Sequence, residues 1–255
     1  ETDITADHIP HIKAVSLIDK IRVVNALLGF SRMQPVSSPT DAGFVSIKKP
    51  NTNWYPAYEV RGEGIFIEFD ADEIRRWLQE YEEPLFQRTK ILHAKAENSL
   101  LGSSLAQSIH PAFIMLHTLS HLLITQLSFE CGYSVASLSE RIYFSDAEND
   151  AMYGIFIYTA SGDAEGTLGG LVRQGRADTF PQLLRRAVTH AKICSNDPVC
   201  MMSHGQGRDS LNLAACHACA LLPETCCERG NMLLDRGMIV GTYEHPEIGF
   251  WKDLR

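Results

Sequence analysis

The chain has 255 residues, 45% hydrophobic and 21% charged, which is the balance of a globular protein with a buried core. Its formal net charge of −8 excludes a chain-wide basic footprint for nucleic acid. The acidity is uneven: residues 1–150 hold 20 acids against 13 bases and residues 151–255 hold 11 against 10, so a polyanion is repelled less by the second part.

In chain order, Ile12, Val15, Ile18, Ile21, Val24 and Leu28 recur at three- or four-residue spacing and predict an amphipathic helix over 12–28, closed by Gly29. Residues 31–53, rich in Ser, Pro, Thr and Asn, read as loop. Alternation over Gly64–Phe69 predicts a strand entered through a turn at Arg61–Gly64. Asp70 or Asp72 then caps a helix with Ile74, Trp77, Leu78 and Tyr81 on one face. Lys90–Leu105 reads as a helix of mixed polarity. Pro111 opens the strongest helical signal, FIMLHTLSHLLITQLSFECG, which is apolar nearly all round and ends on Gly132; it predicts a buried central helix. Val135–Glu140 reads as a short helix and Arg141–Phe144 as the start of a strand. Tyr153–Thr159 reads as an interior strand. A Gly-rich loop follows, and then a helix over Phe180–Cys194. Asn231–Arg236 suggests a short helix and Met238–Val240 a last strand. Leu116, Leu119, Leu122, Leu123, Leu127, Ile155 and Ile157 are the expected core. These elements predict an α/β fold: a small mixed sheet flanked by helices, with a cysteine knuckle near the end. The expected division is an N-terminal helix, loop and strand region over 1–110, packed on a main domain over 111–255.

No apolar run reaches about 18 residues, so no membrane span is expected, nor is a signal peptide. The chain begins at Glu1, which suggests a piece of a longer protein. Six of the seven cysteines fall between Cys194 and Cys227, a pattern that fits a reducing cytoplasm better than a disulfide framework. Cys216-x-x-Cys219 lets two thiolates converge on one ion. Cys194 and Cys200 supply a second pair, and structural zinc takes four ligands in a closed tetrahedron. The expected site is therefore Cys194, Cys200, Cys216 and Cys219 around a structural zinc, with the polar insert between the pairs read as a flexible loop. Cys227 is an alternate ligand, and His204 and His217 are further candidates. The blander reading makes these cysteines small buried hydrophobes, and Cys131 and Cys226 are assigned to packing.

Other residues invite chemistry more weakly. His117 and His121 stand four apart on one face of the central helix, as half of a zincin site does, but HTLSH lacks the glutamate beside the first histidine. Two hydrogen-bonded core histidines are the simpler reading. TASGDAEGTLGGL offers Ser161, Asp163 and Glu165, and its Gly166, Gly169 and Gly170 loosely resemble a phosphate loop without the following Lys-Ser/Thr. A phosphodiesterase-like hydrolase using His117, His121 and Glu165 would need these groups in one open pocket. Arg173, Arg176, Arg185, Arg186 and Lys192 form a loose basic set suited to phosphates, or simply to a solvated face.

Longer motifs resemble a known family. HTLSHLLITQLSFECGYSVASLSERIYF, GIFIYTASGDAEGTLGGLVRQG, CSNDPVC and LNLAACHACALLPETCCERGNMLLDR are similar to the zinc-binding domain named after the MrfA helicase, the MZB domain. GFSRMQP and WYPAYEVRGEGIFIEFD further resemble the DrmB subunits of the bacterial DISARM anti-phage system. The resemblance implies that the cysteine cluster binds zinc, and that Cys194, Cys200, Cys216, Cys219 and Cys227 match the family pattern for four places. Where this chain has Cys226 the family is expected to have serine. It also implies a place at the C-terminal end of a protein that works with a helicase subunit, DrmA, on DNA. Helicase motor motifs are absent from the sequence. The reading is a non-catalytic, zinc-binding accessory or scaffold module of a helicase-associated defence protein. It would be cytoplasmic and would engage DNA through the complex. The alternatives are the hydrolase or a pure protein-interaction module.

Overall fold

Residues 12–26 form the longest strand of the protein, not the expected helix. The computed structural model describes residues 9–33, 36, 38–99, 102–148, 150–159 and 169–254. Strand β1 (Ile12–Ala26) is followed by two short strands that pair with each other, β2 (Gly29–Phe30) and β3 (Val45–Ser46), and then by β4 (Ala57–Phe69), to which β1 is antiparallel. The register explains the helical spacing. Ile12 faces Phe69 while Val15 faces Ile67, and Ile18 faces Gly64 while Ile21 faces Gly62. In each case three steps along β1 match two along β4, so a bulge has added one residue. Apolar residues three apart thereby fall on one face of a strand.

β4 runs straight through Arg61–Gly64, where a turn was expected. A Cβ on Gly62 would lie 2.2 Å from the Thr159 carbonyl oxygen, and one on Gly64 would lie 2.5 Å from the Phe156 ring. These glycines admit close neighbours and do not reverse the chain. Asp70 caps α1 (Ala71–Glu80) by accepting from the amides of Asp72 and Glu73 at 2.9 and 3.1 Å. Helix α2 (Glu82–Ala96) starts before the expected Lys90 and stops short of Leu105, and α3 (Gly102–Leu105) is separate.

Helix α4 (Pro111–Cys131) is the expected central helix, with Pro111 in its first turn and Gly132 at φ 71° as its C-cap. It is long and apolar enough by composition to cross a membrane, with mean hydropathy 1.4, contrary to the sequence expectation that no stretch qualifies; 83% of that window is buried by the rest of the fold. After one 3₁₀ turn at Val135–Ser137, where a longer helix was expected, β5 (Leu138–Ala147) and β6 (Asp150–Thr159) form a hairpin. The sheet order is β1-β4-β6-β5, so β6 is interior, and every pairing is antiparallel. Helices α5 (Gly170–Gln174) and α6 (Phe180–Ala191) follow.

Residues 231–236 are not the expected helix. Asn231 and Leu233 have φ of 60° and 63°, which breaks helical geometry. The segment runs beside residues 211–214, with hydrogen bonds from Leu233 N to Leu211 O (2.8 Å) and from Leu213 N to Leu234 O (3.0 Å). The expected last strand is the short helix α7 (Gly237–Val240). Leu116, Leu119, Leu122, Leu123, Leu127, Ile155 and Ile157 all lie in one buried cluster that gathers residues from Ile9 to Leu254.

Candidate metal centre

Two tight turns bring the paired cysteines together. Helix α6 ends just before Cys194, whose amide is accepted by the Asp197 carboxylate at 2.8 Å; the same side chain accepts from Met201 N at 3.1 Å. This fixes a turn that carries Cys194 and Cys200. In the second turn the Cys216 carbonyl accepts from the amides of Cys219 (3.1 Å) and Ala220 (3.0 Å). The insert between them is closed and not a free loop. Gln206 and Asn212 exchange backbone hydrogen bonds of 2.8 and 3.0 Å, and the Gln206 side chain donates to the Leu213 carbonyl.

The result is a group of four sulfurs, Cys194, Cys200, Cys216 and Cys219, all within 4.8 Å of one another. Cys194–Cys216 is 3.5 Å, and Cys200–Cys219 and Cys216–Cys219 are each 3.8 Å. A disulfide needs about 2.05 Å. A tetrahedron with zinc–sulfur bonds of about 2.3 Å has edges of about 3.8 Å, so the four thiols fit zinc. Burial pushes the Cys194 and Cys219 thiols up, while polar donors favour anionic sulfur at Cys216 and Cys200. Asn196 Nδ2 reaches Cys216 Sγ and Gln206 Nε2 reaches Cys200 Sγ, both at 3.4 Å. Burial pushes the Cys216 thiol up, yet the Asn196 amide and neighbouring donors outweigh it and bring its pKa down to about 7. The fully buried Arg236 guanidinium lies beside the cluster. It donates to Ala191 O (2.7 Å) and Ala214 O (3.2 Å) and pairs with Asp197 at 2.9 Å. Four thiolates around a divalent ion leave two negative charges, and the Arg236 guanidinium, shared between Asp197 and the cluster, partly offsets them.

Of the alternate ligands, His204 and His217 are exposed and belong to neither metal-sized group among the described residues. Cys227 also stands apart from the four sulfurs. Its Sγ lies 3.1 Å from Nε2 of His117. His117 and His121 are both fully buried. Their Nδ1 atoms face backbone carbonyls, Leu233 O at 3.2 Å and Ala220 O at 2.8 Å. The open pocket that the hydrolase alternative requires is not formed at either imidazole, and Glu165, Ser161, Asp163 and Gly166 lie outside the described residues. Cys226 is buried with its thiol 3.2 Å from Val135 O, and Cys131 packs against the core.

Three buried carboxylates, Glu140, Glu63 and Asp235, were not singled out from the sequence. Glu140 lies beside His117 and His121. Its signal was a charge at the inward position between Leu138 and Ile142 of β5. Glu63, on β4, accepts from Gly169 N (2.6 Å), Leu171 N (2.8 Å) and the Tyr133 hydroxyl (3.0 Å), and so anchors the chain where it leaves the Gly-rich segment for α5. Arg173, Arg176, Arg185, Arg186 and Lys192 are all exposed along the α5–α6 region, and Arg186 pairs with Glu130.

The class of the site follows from a family comparison. Residues 119–220 match the MrfA Zn-binding domain, MZB. Over this stretch the chain is similar to a zinc-binding domain, and its four clustered thiols fit zinc as a structural cofactor. The matched stretch contains all four clustered cysteines and ends before Cys227. At the level of a particular relative, the chain is 38% identical over 254 residues, 97% of its length, to the DISARM protein DrmB of Bacillus paralicheniformis. It spans 44% of that relative.

Proposed function

We propose that the chain is a non-catalytic, zinc-stabilised accessory or scaffold module of a cytoplasmic anti-phage defence protein. In this reading Cys194, Cys200, Cys216 and Cys219 ligate the zinc, which fixes the 194–236 surface against α6 and α4. Residues 1–110 serve as a region packed on the MZB-like unit of 111–255. The observation that carries the reading is the four-sulfur group, sized for zinc, inside the stretch matched by the zinc-binding family. The similarity to the DISARM protein DrmB supports the defence setting, and the partner in this reading is a helicase-type subunit resembling DrmA.

DNA is engaged through the complex. The exposed Arg173, Arg176, Arg185 and Lys192 supply sequence-independent phosphate contacts, because the chain as a whole is acidic. Binding by the complex of this protein with its helicase subunit then weakens steeply with salt. Changing these four residues to alanine should lower the log–log salt slope by about one for each phosphate no longer neutralised. An unchanged slope would remove the basic face from the reading.

A specific observation favours a protein-interaction role alongside it. Val24, Leu27, Leu28, Phe30, Val45, Trp54 and Tyr58 are large, apolar and exposed, and all belong to the β1–β4 arm. A run of exposed apolar side chains of this kind marks a partner surface. Charged substitutions at Leu27 and Tyr58 should abolish co-purification with the helicase subunit while leaving the zinc content unchanged.

A further inference from the structure

The chain carries a second cluster of metal-ligand type, separate from the four cysteines. Nε2 of His117, Nε2 of His121, a carboxylate oxygen of Glu140 and Sγ of Cys227 all lie within 4.8 Å of one another; His117, His121 and Glu140 are buried in the interior and Cys227 is half-buried. His117 Nε2 is 3.0 Å from Glu140 Oε1, His121 Nε2 is 3.4 Å from the same oxygen, and His117 Nε2 is 3.1 Å from Cys227 Sγ. Zinc bonds of about 2.0–2.3 Å to nitrogen, oxygen and sulfur give tetrahedral edges of about 3.3–3.8 Å. These three separations are within about half an ångström of that size, and the remaining pairs lie within 4.8 Å.

Three independent features aim these atoms at a common ion. The first is the tautomer. His117 and His121 each place Nδ1 against a backbone carbonyl, Leu233 O and Ala220 O. That arrangement fixes the proton on Nδ1 and frees the Nε2 lone pair for a metal. The second is an orphan. His121 Nε2 is buried and makes no well-formed hydrogen bond among the described residues, its nearest carboxylate oxygen being Glu140 Oε1 at 3.4 Å, a costly state for a polar atom unless something binds it more closely. The third is the outer shell. The amides of Asn231 (3.1 Å) and Arg229 (3.4 Å) point at Cys227 Sγ, while Ser120 Oγ and the Glu228 amide donate to Glu140. Donors of this kind stabilise a thiolate and a carboxylate and hold them in place.

We propose that His117, His121, Glu140 and Cys227 form a second, closed zinc site that pins the central helix α4 to β5 and to the segment following the cysteine knuckle. Two neutral imidazoles, one carboxylate and one thiolate around a divalent cation sum to zero charge, which a buried site requires. The mixed nitrogen, oxygen and sulfur donor set suits zinc, and four protein ligands leave no place for water, so the ion is structural. Cys227 thus leaves the first site because it belongs to the second.

The test is a crystal structure of the purified protein with anomalous diffraction on both sides of the zinc absorption edge. The expected result is one peak among Cys194, Cys200, Cys216 and Cys219 and a second between His117 Nε2, His121 Nε2, Glu140 and Cys227. A peak at the four cysteines alone would overturn the second site and leave the first intact; a peak at the second position alone would do the reverse. In solution, Cys227→Ser and His121→Ala should each lose one zinc per chain by elemental analysis relative to the parent. Undiminished zinc in both variants would count equally against the site, and the anomalous experiment needs no variant to fold.

Discussion

Asp235 and Arg236 are neighbours in sequence, both fully buried and opposite in charge, and each pairs elsewhere. Arg88 of α2 grips Asp235 through two parallel hydrogen bonds of 2.7 and 2.8 Å, while Arg236 turns towards Asp197 and the cysteine cluster. One dipeptide thus ties α2 on one side and the first cysteine turn on the other. Asp235 also accepts from the amides of Ala214 and Gly237, but these do not neutralise its charge. Arg88→Ala should therefore destabilise the protein by about 3 kcal/mol in urea unfolding, the lower end for a broken buried pair because Arg88 is 17% exposed. Arg88→Met with Asp235→Asn should be clearly more stable than the single variant. Equal losses in the two proteins would mean that packing, and not the orphaned charge, sets the cost.

At the scale of the element, the bulged ribbon of β1 and β4 separates what the sequence disclosed from what it hid. Gly62 lies in the middle of β4 with the Thr159 backbone so close that a Cβ has no room, and backbone cannot swing aside as a side chain does. Gly62→Ala should cost about 2 kcal/mol, read by thermal or urea unfolding, because the strands must separate to admit the methyl group; a neutral effect would restore the turn expected at Arg61–Gly64. The same ribbon shows why β1 looked helical. A bulge turns period two into a step of three, and sequence spacing alone cannot distinguish that step from a helical turn. Helix α4 was legible because Pro111, a long apolar run and Gly132 agree, and no neighbour is needed to interpret them. The cysteine pairs were legible for a similar reason, since Cys216 and Cys219 meet within one turn. Cys227 misled because it is near those cysteines in sequence and near His117 in space. Glu140 was unreadable as a candidate ligand because its partners lie on a different element, α4, and only the packing of α4 on β5 brings them together.

For the molecule as a whole, the question is how far metal supports the fold. Helix α4 packs against β5, β6, α6 and α7. Its two histidines also meet carbonyls of the C-terminal segment, Leu233 O and Ala220 O. If that segment loosens, the imidazoles lose the two carbonyls at Nδ1 and the Cys227 sulfur, and Glu140 loses the Glu228 amide, which leaves buried polar atoms unpaired and draws water in. Metal binding and folding are coupled in such sites, so chelation should act well beyond the knuckle. Hydrogen exchange on the full protein with and without a strong chelator would show this. Amides of residues 194–236 and of 116–123 in the middle of α4 should lose protection together, by at least about tenfold, equivalent to about 1.4 kcal/mol. Among the described strands, the outer strand β1 pairs only with β4 and lies at the sheet edge remote from β5, so its amides should change least. Loss of protection confined to 194–220, with α4 unaffected, would limit the metal to the four cysteines and make the central helix self-supporting. Joint loss would mean that metal binding closes the core itself, and that the knuckle and the helix behind it respond as one unit to whatever the module binds.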